Sequence, residues 1–348
     1  MDGNEMTMES VLVLTHADES GLALTRGSLE AVTAGRELAG RLSASLAIGI
    51  VAADPTAPAP ALAGTNARLL GVSGEAFAQA RYGTDAAACE ALCRAAQATI
   101  VLAPSSSRFA RVAAGVSHRL GGVIDTHITA IADGDSVQVT RWFYRQRLEA
   151  VLGRAQRPWF LLLDGGACAA YASAPGAVTV EQVPVDLSPL RTTVIGLRTP
   201  TQDAETIRPD ANLLFVAGAG WTKKQPDGLA HADEAAQLIL RFLHACGASL
   251  GSSKSLVDQG SDGHSVLPFL THMNQIGQTG ATPRHPKGLS TCCHGEEPHV
   301  VGWRFIGERR AISLDPNCGW TRGKADVVYI ADAFKVMNRV NAILEENS

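Results

Sequence analysis

Apolar residues along the first half of the chain switch repeatedly between two periods. Val11-Leu-Val-Leu14 is a short unbroken apolar run, the stretch 27–42 (GSLEAVTAGRELAGRL) spaces its apolar residues for one helical face, and Leu46-Ala-Ile-Gly-Ile-Val51 returns to a strand. Strand, helix, strand is the repeating unit of a parallel sheet. The alternation continues with a helix over 84–96, a strand over 99–103, a helix over 108–120, and strands near 127–132 and at 159–163. It predicts a doubly wound α/β domain over residues 1–171. Between 172 and 210, Pro175, Pro184, Pro189, Pro200 and Pro209 break the periodicity, so this stretch reads as an interdomain connection that leaves room for an edge strand near 178–183. A second α/β domain, 211–348, opens on Leu213-Leu-Phe-Val216, runs into Ala217-Gly-Ala-Gly220 and continues into a helix over 233–246. A strand, a Gly-rich turn containing Gly218 and a helix N-terminus together would offer backbone N–H groups to a phosphate.

Composition then removes several classes of function. At 348 residues, with 46% hydrophobic and 18% charged positions, the chain is long enough for two apolar cores. A net charge of -4 supplies no basic stripe for a phosphate backbone, which excludes nucleic acid as the expected partner. No apolar run reaches membrane-spanning length, and the acidic opening residues lack the layout of a secretory signal. The expectation is a soluble, cytoplasmic protein without membrane insertion. Seven cysteines, an odd number in a large chain, suggest reduced thiols rather than a disulfide framework. On this reading Cys292 and Cys293 are two free thiols and Cys246 belongs to the core. The segment holding Arg284, His285, Cys292, Cys293, His294 and His299 has neither a CxxC nor an HxxxH pair, so no metal site is expected.

The chemistry concentrates at Asn274-Gln-Ile-Gly-Gln-Thr-Gly280. Gly277 and Gly280 bracket Gln278 and Thr279, a pattern that lets backbone approach a flat ring while short polar side chains reach its edge. Around it stand, in order, the Gly turn at 217–220, the segment 247–260 (GASLGSSKSLVDQG), Ser313-Leu-Asp-Pro316 and the 325–336 tail (ADVVYIADAFKV). In that order they resemble the α subunit of electron transfer flavoproteins, and the resemblance covers essentially the whole chain. It implies two doubly wound, Rossmann-like α/β domains, the C-terminal one binding FAD. It also implies an obligate heterodimer with a β subunit, an upstream flavoprotein dehydrogenase and a downstream quinone-linked oxidoreductase. The protein would be an electron carrier without substrate turnover of its own, and so without a catalytic residue.

Carried over on the same resemblance, Ser253 and Lys254 match a Ser-Arg pair at the flavin, while Gln278 and Thr279 match residues at the ring edge. Asp332 matches an acidic residue near the adenine end, and an ungapped count from Gly280 puts His299 opposite the ring. Gly218, Gln275, Gly277, Gly280 and Asp315 complete the candidate set, although Asp315 also suits a purely local turn. Departures from the family pattern are specific. The turn 217–221 lacks the family's arginine, Lys254 stands for the ring-facing arginine, Ser313 replaces an asparagine and Pro298 a glutamine. These changes motivate the rival reading of a flavin-poor structural subunit in a dehydrogenase complex. A third reading, an adenine-nucleotide hydrolase built on the first domain, is opposed by the absence of a GxxxxGK[ST] loop. The departures also point to a specialised branch serving oxidation of methylated amines such as dimethylglycine or sarcosine.

Overall fold

The computed structural model describes residues 8–132, 137–144, 148–187, 190–196, 207–208, 211–258, 266–276, 284–293, 306–318 and 325–346. The chain divides into two compact units, 1–197 and 198–348.

In the first unit the strands are β1 (Ser10–His16), β2 (Ser45–Val51), β3 (Arg68–Val72), β4 (Ile100–Pro104), β5 (Val123–Ile131), β6 (Val139–Phe143), β7 (Leu148–Leu152), β8 (Trp159–Leu163) and β9 (Val180–Gln182). Three helices, α1 (Arg26–Leu42), α2 (Tyr82–Ala96) and α3 (Ser107–Arg119), connect them. The sheet order is β7-β6-β5-β8-β4-β1-β2-β3-β9, parallel except for β6 and β7, which form an antiparallel ribbon on β5. Apolar cores lie on both faces. Val13, Leu38 and Ile50 belong to one, Leu12, Leu92 and Val112 to the other, which is the doubly wound arrangement read from the sequence. β1 is buried on both sides, so α1 must approach it closely. A Cβ on Gly35 would stand 2.2 Å from Val13 Cγ2, and only glycine fits that crossing. The expected edge strand is present: β9 pairs with β3 from Leu69↔Val180 onward and thereby belongs to the first unit's sheet.

Asp125 fastens the ribbon to the parallel strands. Its buried carboxylate accepts from Arg141 at 3.0 Å, from Arg154 at 2.9 and 3.0 Å, and from Trp159 Nε1 at 3.0 Å. Burial alone would raise its pKa, but the hydrogen bonds from Arg154, Trp159 and Arg141 outweigh that and hold it below the usual carboxylate range. A lowered folded-state pKa adds stability above the ordinary value of about 3.9, and that stability is lost as pH falls through the folded value. Asp125→Asn is therefore expected to cost on the order of 1–3 kcal/mol near neutral pH. The gap from the parent should close in acid. Urea midpoints measured between pH 7 and pH 2 check this, and a pH-independent gap would rule the linkage out.

The second unit is a five-stranded parallel sheet, β10 (Leu213–Ala217), β11 (Ser249–Ser252), β12 (His285–Cys293), β13 (Ile306–Ser313) and β14 (Val327–Ile330), ordered β11-β10-β12-β13-β14. Helix α4 (Ala232–Cys246) packs with α6 (Ala333–Glu346) over Phe215, Leu250 and Ile312, and a single-turn helix, α5 (Lys254–Asp258), follows β11. Among the described residues no helix is long and apolar enough to cross a membrane.

Candidate functional site

In an open parallel sheet, ligands bind beyond the carboxyl ends of the strands where the strand order reverses. In the second unit that point lies between β10 and β12, because β10 leads first to β11 on one side and then to β12 on the other. The sequence candidates within the described residues all fall at this end of the sheet. Gly218 follows β10, and its N–H donates to Thr291 O at 3.1 Å, across the reversal point. Ser253 follows β11 and donates its N–H to Ala217 O at 2.9 Å, while its Oγ accepts from Leu256 N at 3.3 Å and so caps α5. Gln275 bridges to Ser252 as a parallel partner, and Ile276 N donates to Ser252 O at 3.1 Å. Gly251 makes that approach possible, since a Cβ there would stand 2.3 Å from Ile276 Cδ1. Asp315 lies in the turn after β13, accepting from Asn317 N at 2.8 Å through its side chain. Asp332 follows β14 and caps α6, its Oδ1 accepting from Lys335 N at 3.3 Å.

Lys254 is the cation among the described candidates. It is 55% exposed and lies 3.7 Å from Asp258, which is also 3.7 Å from His272 Nδ1. Its charge is thus shared with a neighbour four residues on, through a solvent-exposed pair that contributes little to stability. Gly277, Gln278, Thr279, Gly280 and His299 lie outside the described residues.

The Gly turn differs from the expected phosphate cradle. A short 3-10 turn at Ala219–Trp221 and a bridge between Lys224 and Ala230 separate Gly218 from α4, so the turn does not feed the helix directly. The first turn of α4 carries Asp233 and Glu234, whose charges oppose an anion there. Trp221 is the residue that sequence reasoning passed over. Fully buried, it donates Nε1 to Thr291 Oγ1 at 2.8 Å and packs against Phe334 with ring centroids 4.7 Å apart. Thr291 Oγ1 donates in turn to Val216 O at 3.2 Å. Trp221 therefore joins the ends of β10 and β12 to the start of α6, and a narrow crevice beside it is lined by Gln225, Ser313, Leu314, Asp332 and Phe334. The only sequence signal was a large aromatic directly after a Gly-rich turn.

Cysteine chemistry also departs from expectation. Cys89, Cys93, Cys168 and Cys246 are free, but Cys318 is disulfide-bonded, and Cys246 is exposed at the end of α4 rather than part of the core. The side chains of Cys292 and Cys293 lie outside the described residues.

The first unit has its own reversal point, between β1 and β4. There the His16 ring edges onto Phe109 at 5.2 Å, its Nδ1 is 2.8 Å from Ala17 O and its Nε2 3.1 Å from Ser106 Oγ. Desolvation lowers its pKa, so the ring is held neutral, with Nδ1 donating to the carbonyl and Nε2 accepting from the serine. The side chains at this crevice are committed to one another.

A family model described as the electron transfer flavoprotein domain matches residues 13–188. The chain belongs to the electron transfer flavoprotein family. The match spans half the chain and falls within the first unit. No curated protein matches the chain individually.

Proposed function

We propose that this electron transfer flavoprotein family member is the cofactor-bearing α subunit, holding FAD on its second unit. The observation that supports this most is the gathering of Gly218, Ser253, Lys254, Gln275, Asp315 and Asp332 at the carboxyl end of a parallel sheet that follows the family domain. A dinucleotide fits this donor set on a further ground. The hydroxyl of Ser252, buried at the end of β11, has no hydrogen-bond partner among the described residues, and such a group asks for one. FAD, when bound, supplies the one-electron chemistry. The chain's residues bind and orient it: Lys254 offers a cation to an anionic ring or phosphate, Ser253 and Gln275 hold the backbone at the end of β11, and Asp315 and Asp332 set the turns after β13 and β14.

The partners we assign are a β subunit, a flavoprotein dehydrogenase as donor and a quinone-linked oxidoreductase as acceptor. The departures at Lys254 and in the 217–221 turn direct the search for the donor toward dehydrogenases of methylated amines. Exposed apolar side chains on the β6–β7 ribbon, Tyr144 at 74%, Leu148 at 55% and Val151 at 62%, support a protein partner for the first unit. The flavin-poor reading draws on the turn at 217–221, where Trp221 faces the core and no arginine is present.

Coexpression with a β subunit separates these readings. We expect about one FAD per heterodimer. Lys254→Arg should retain the cofactor, whereas Lys254→Met should weaken its binding about tenfold, the loss of one charge-assisted contact. An assembled, soluble heterodimer that takes up no added FAD would establish the flavin-poor subunit instead.

A further inference from the structure

Helices α2 and α3 pack against each other on one face of the first sheet, and their charges are unevenly matched. α3 carries Arg108, Arg111, His118 and Arg119 and no acidic residue, while α2 carries Asp85, Glu90 and Arg94. Asp85 is buried against Arg108, so it neutralises nothing at the surface. Glu90 is shared, accepting from Arg94 Nη2 at 2.9 Å and from Arg119 Nη1 at 3.4 Å. The guanidiniums of Arg111 and of Arg81, the residue before α2, meet no carboxylate among the described residues. Each instead donates Nη1 to a backbone carbonyl, Arg111 to Ala80 O at 3.3 Å and Arg81 to Thr192 O at 2.9 Å.

These contacts set the groups in order along the seam between the helices. Arg111 stands beside the start of α2, Gly115 beside Tyr82, and Arg119 beside Glu90. From Arg111 to Arg119 the helix rises about 12 Å. Tyr82 is exposed and reaches over α3 at Gly115, where a Cβ would stand 2.2 Å from its Oη. Ala110 and Ala114, exposed on the same turns of α3, add only short side chains to this surface.

We propose that the α2–α3 face is a docking surface for an acidic protein, whose carboxylates pair with Arg81, Arg111 and Arg119 while its apolar side chains cover Tyr82. Charge complementarity selects that partner. The chain as a whole carries a net charge of -4, so a face that sets Arg81, Arg94, Arg111 and Arg119 against the single shared Glu90 is a local exception. Arginine and tyrosine are residue types that protein interfaces concentrate, and α2 and α3 contain no lysine. A nucleic acid fits the array less well, since a continuous phosphate backbone laid along it would run over Glu90. The carbonyl bonds hold Arg81 and Arg111 in place before a partner arrives, which lowers the ordering cost of binding. This surface lies in the first unit and does not depend on the FAD reading.

The test is fluorescence anisotropy of the full-length chain with a labelled helical peptide that carries glutamate at positions i, i+4 and i+8 and alanine between them, a spacing that matches the array. The unmutated chain should bind this peptide, more weakly as salt rises, and should not bind its counterpart with glutamine at those positions. Arg111→Ala/Arg119→Ala should weaken binding about tenfold, while Arg339→Ala, at an exposed position on α6, should leave it unchanged. Glu90→Gln should strengthen binding about threefold, because it frees Arg94 and Arg119; a merely structural role for these side chains gives no such gain. Equal binding of the glutamine peptide, or a Glu90→Gln chain that binds no better than the parent, would overturn the docking surface. So would tighter binding of an oligothymidylate of equal charge, which would make this a nucleic-acid face. Dimerisation of the chain that disappears in Arg111→Ala/Arg119→Ala would overturn it too, by making the occupant a second copy.

Discussion

Asp85→Ala is expected to destabilise the first unit by about 3–5 kcal/mol, the range for stranding one partner of a buried ion pair. Asp85 and Arg108 are 1% and 7% exposed, and they connect α2 to α3. Asp85 Oδ1 accepts from Arg108 Nε at 3.1 Å and Nη2 at 2.7 Å, while Oδ2 accepts from Arg81 N at 3.0 Å at the start of α2. Arg108 Nη2 also donates to Phe77 O at 2.6 Å. Removing the carboxylate leaves the guanidinium buried with the Phe77 carbonyl as its remaining acceptor, and it removes the acceptor for an N–H at the helix start. The diagnostic comparison is the double variant Asp85→Ala/Arg108→Met. Removing both charges ends the uncompensated burial, so it should recover a substantial part of the loss despite carrying an additional substitution. Chemical denaturation followed by circular dichroism measures both. If the double variant is as unstable as the sum of the two single ones, packing and not stranded charge accounts for the effect.

What could be read in advance depended on how each element is buried. β1, β2, β4 and β8 are covered on both faces and spell nearly continuous apolar runs, so their positions followed directly from sequence. β12 escaped because it reads His-Pro-Lys-Gly before its first large apolar residue, Leu289, and Pro286 and Gly288 both signal a turn. Parallel neighbours on both sides, β10 and β13, make it a strand in spite of that local signal, with the proline close to its first residue, where a missing N–H is tolerated. The β6–β7 ribbon escaped for a different reason. Apart from buried Val139 its residues are largely half-buried or exposed, so it spells no apolar run, and its ion pairs run to Asp125 on β5. At the candidate site, residues directly following a strand were legible because strand ends can be located from apolar runs and glycine. Trp221 was not, since its role depends on Thr291 and Phe334, which lie far along the chain and meet it only after the sheet forms.

Trp221→Ala is expected to cost the second unit about 3–5 kcal/mol, the usual range for deleting a buried large aromatic. Two kinds of loss combine. The side chain is fully buried against Phe334 within the core formed by α4 and α6, so its removal leaves a cavity that close-packed neighbours refill only partly. Its Nε1–H bond to Thr291 also disappears, but Thr291 keeps its own bond to Val216 O, which limits that part of the cost. Trp221→Phe tests the division, because it retains most of the ring volume and removes the donor. It should lose about 1 kcal/mol for the hydrogen bond, plus a smaller cavity term. The consequence reaches the rim, because Trp221 joins the ends of β10 and β12 to the helix that Asp332 caps. If the second unit holds FAD as proposed, Trp221→Ala should therefore weaken FAD binding as well as stability, while Trp221→Phe should leave FAD binding close to the parent. Equilibrium unfolding of each full-length variant, with FAD titration of the corresponding heterodimer, distinguishes the cases. A Trp221→Ala protein as stable as the parent would mean that the indole is not what holds these strand ends together.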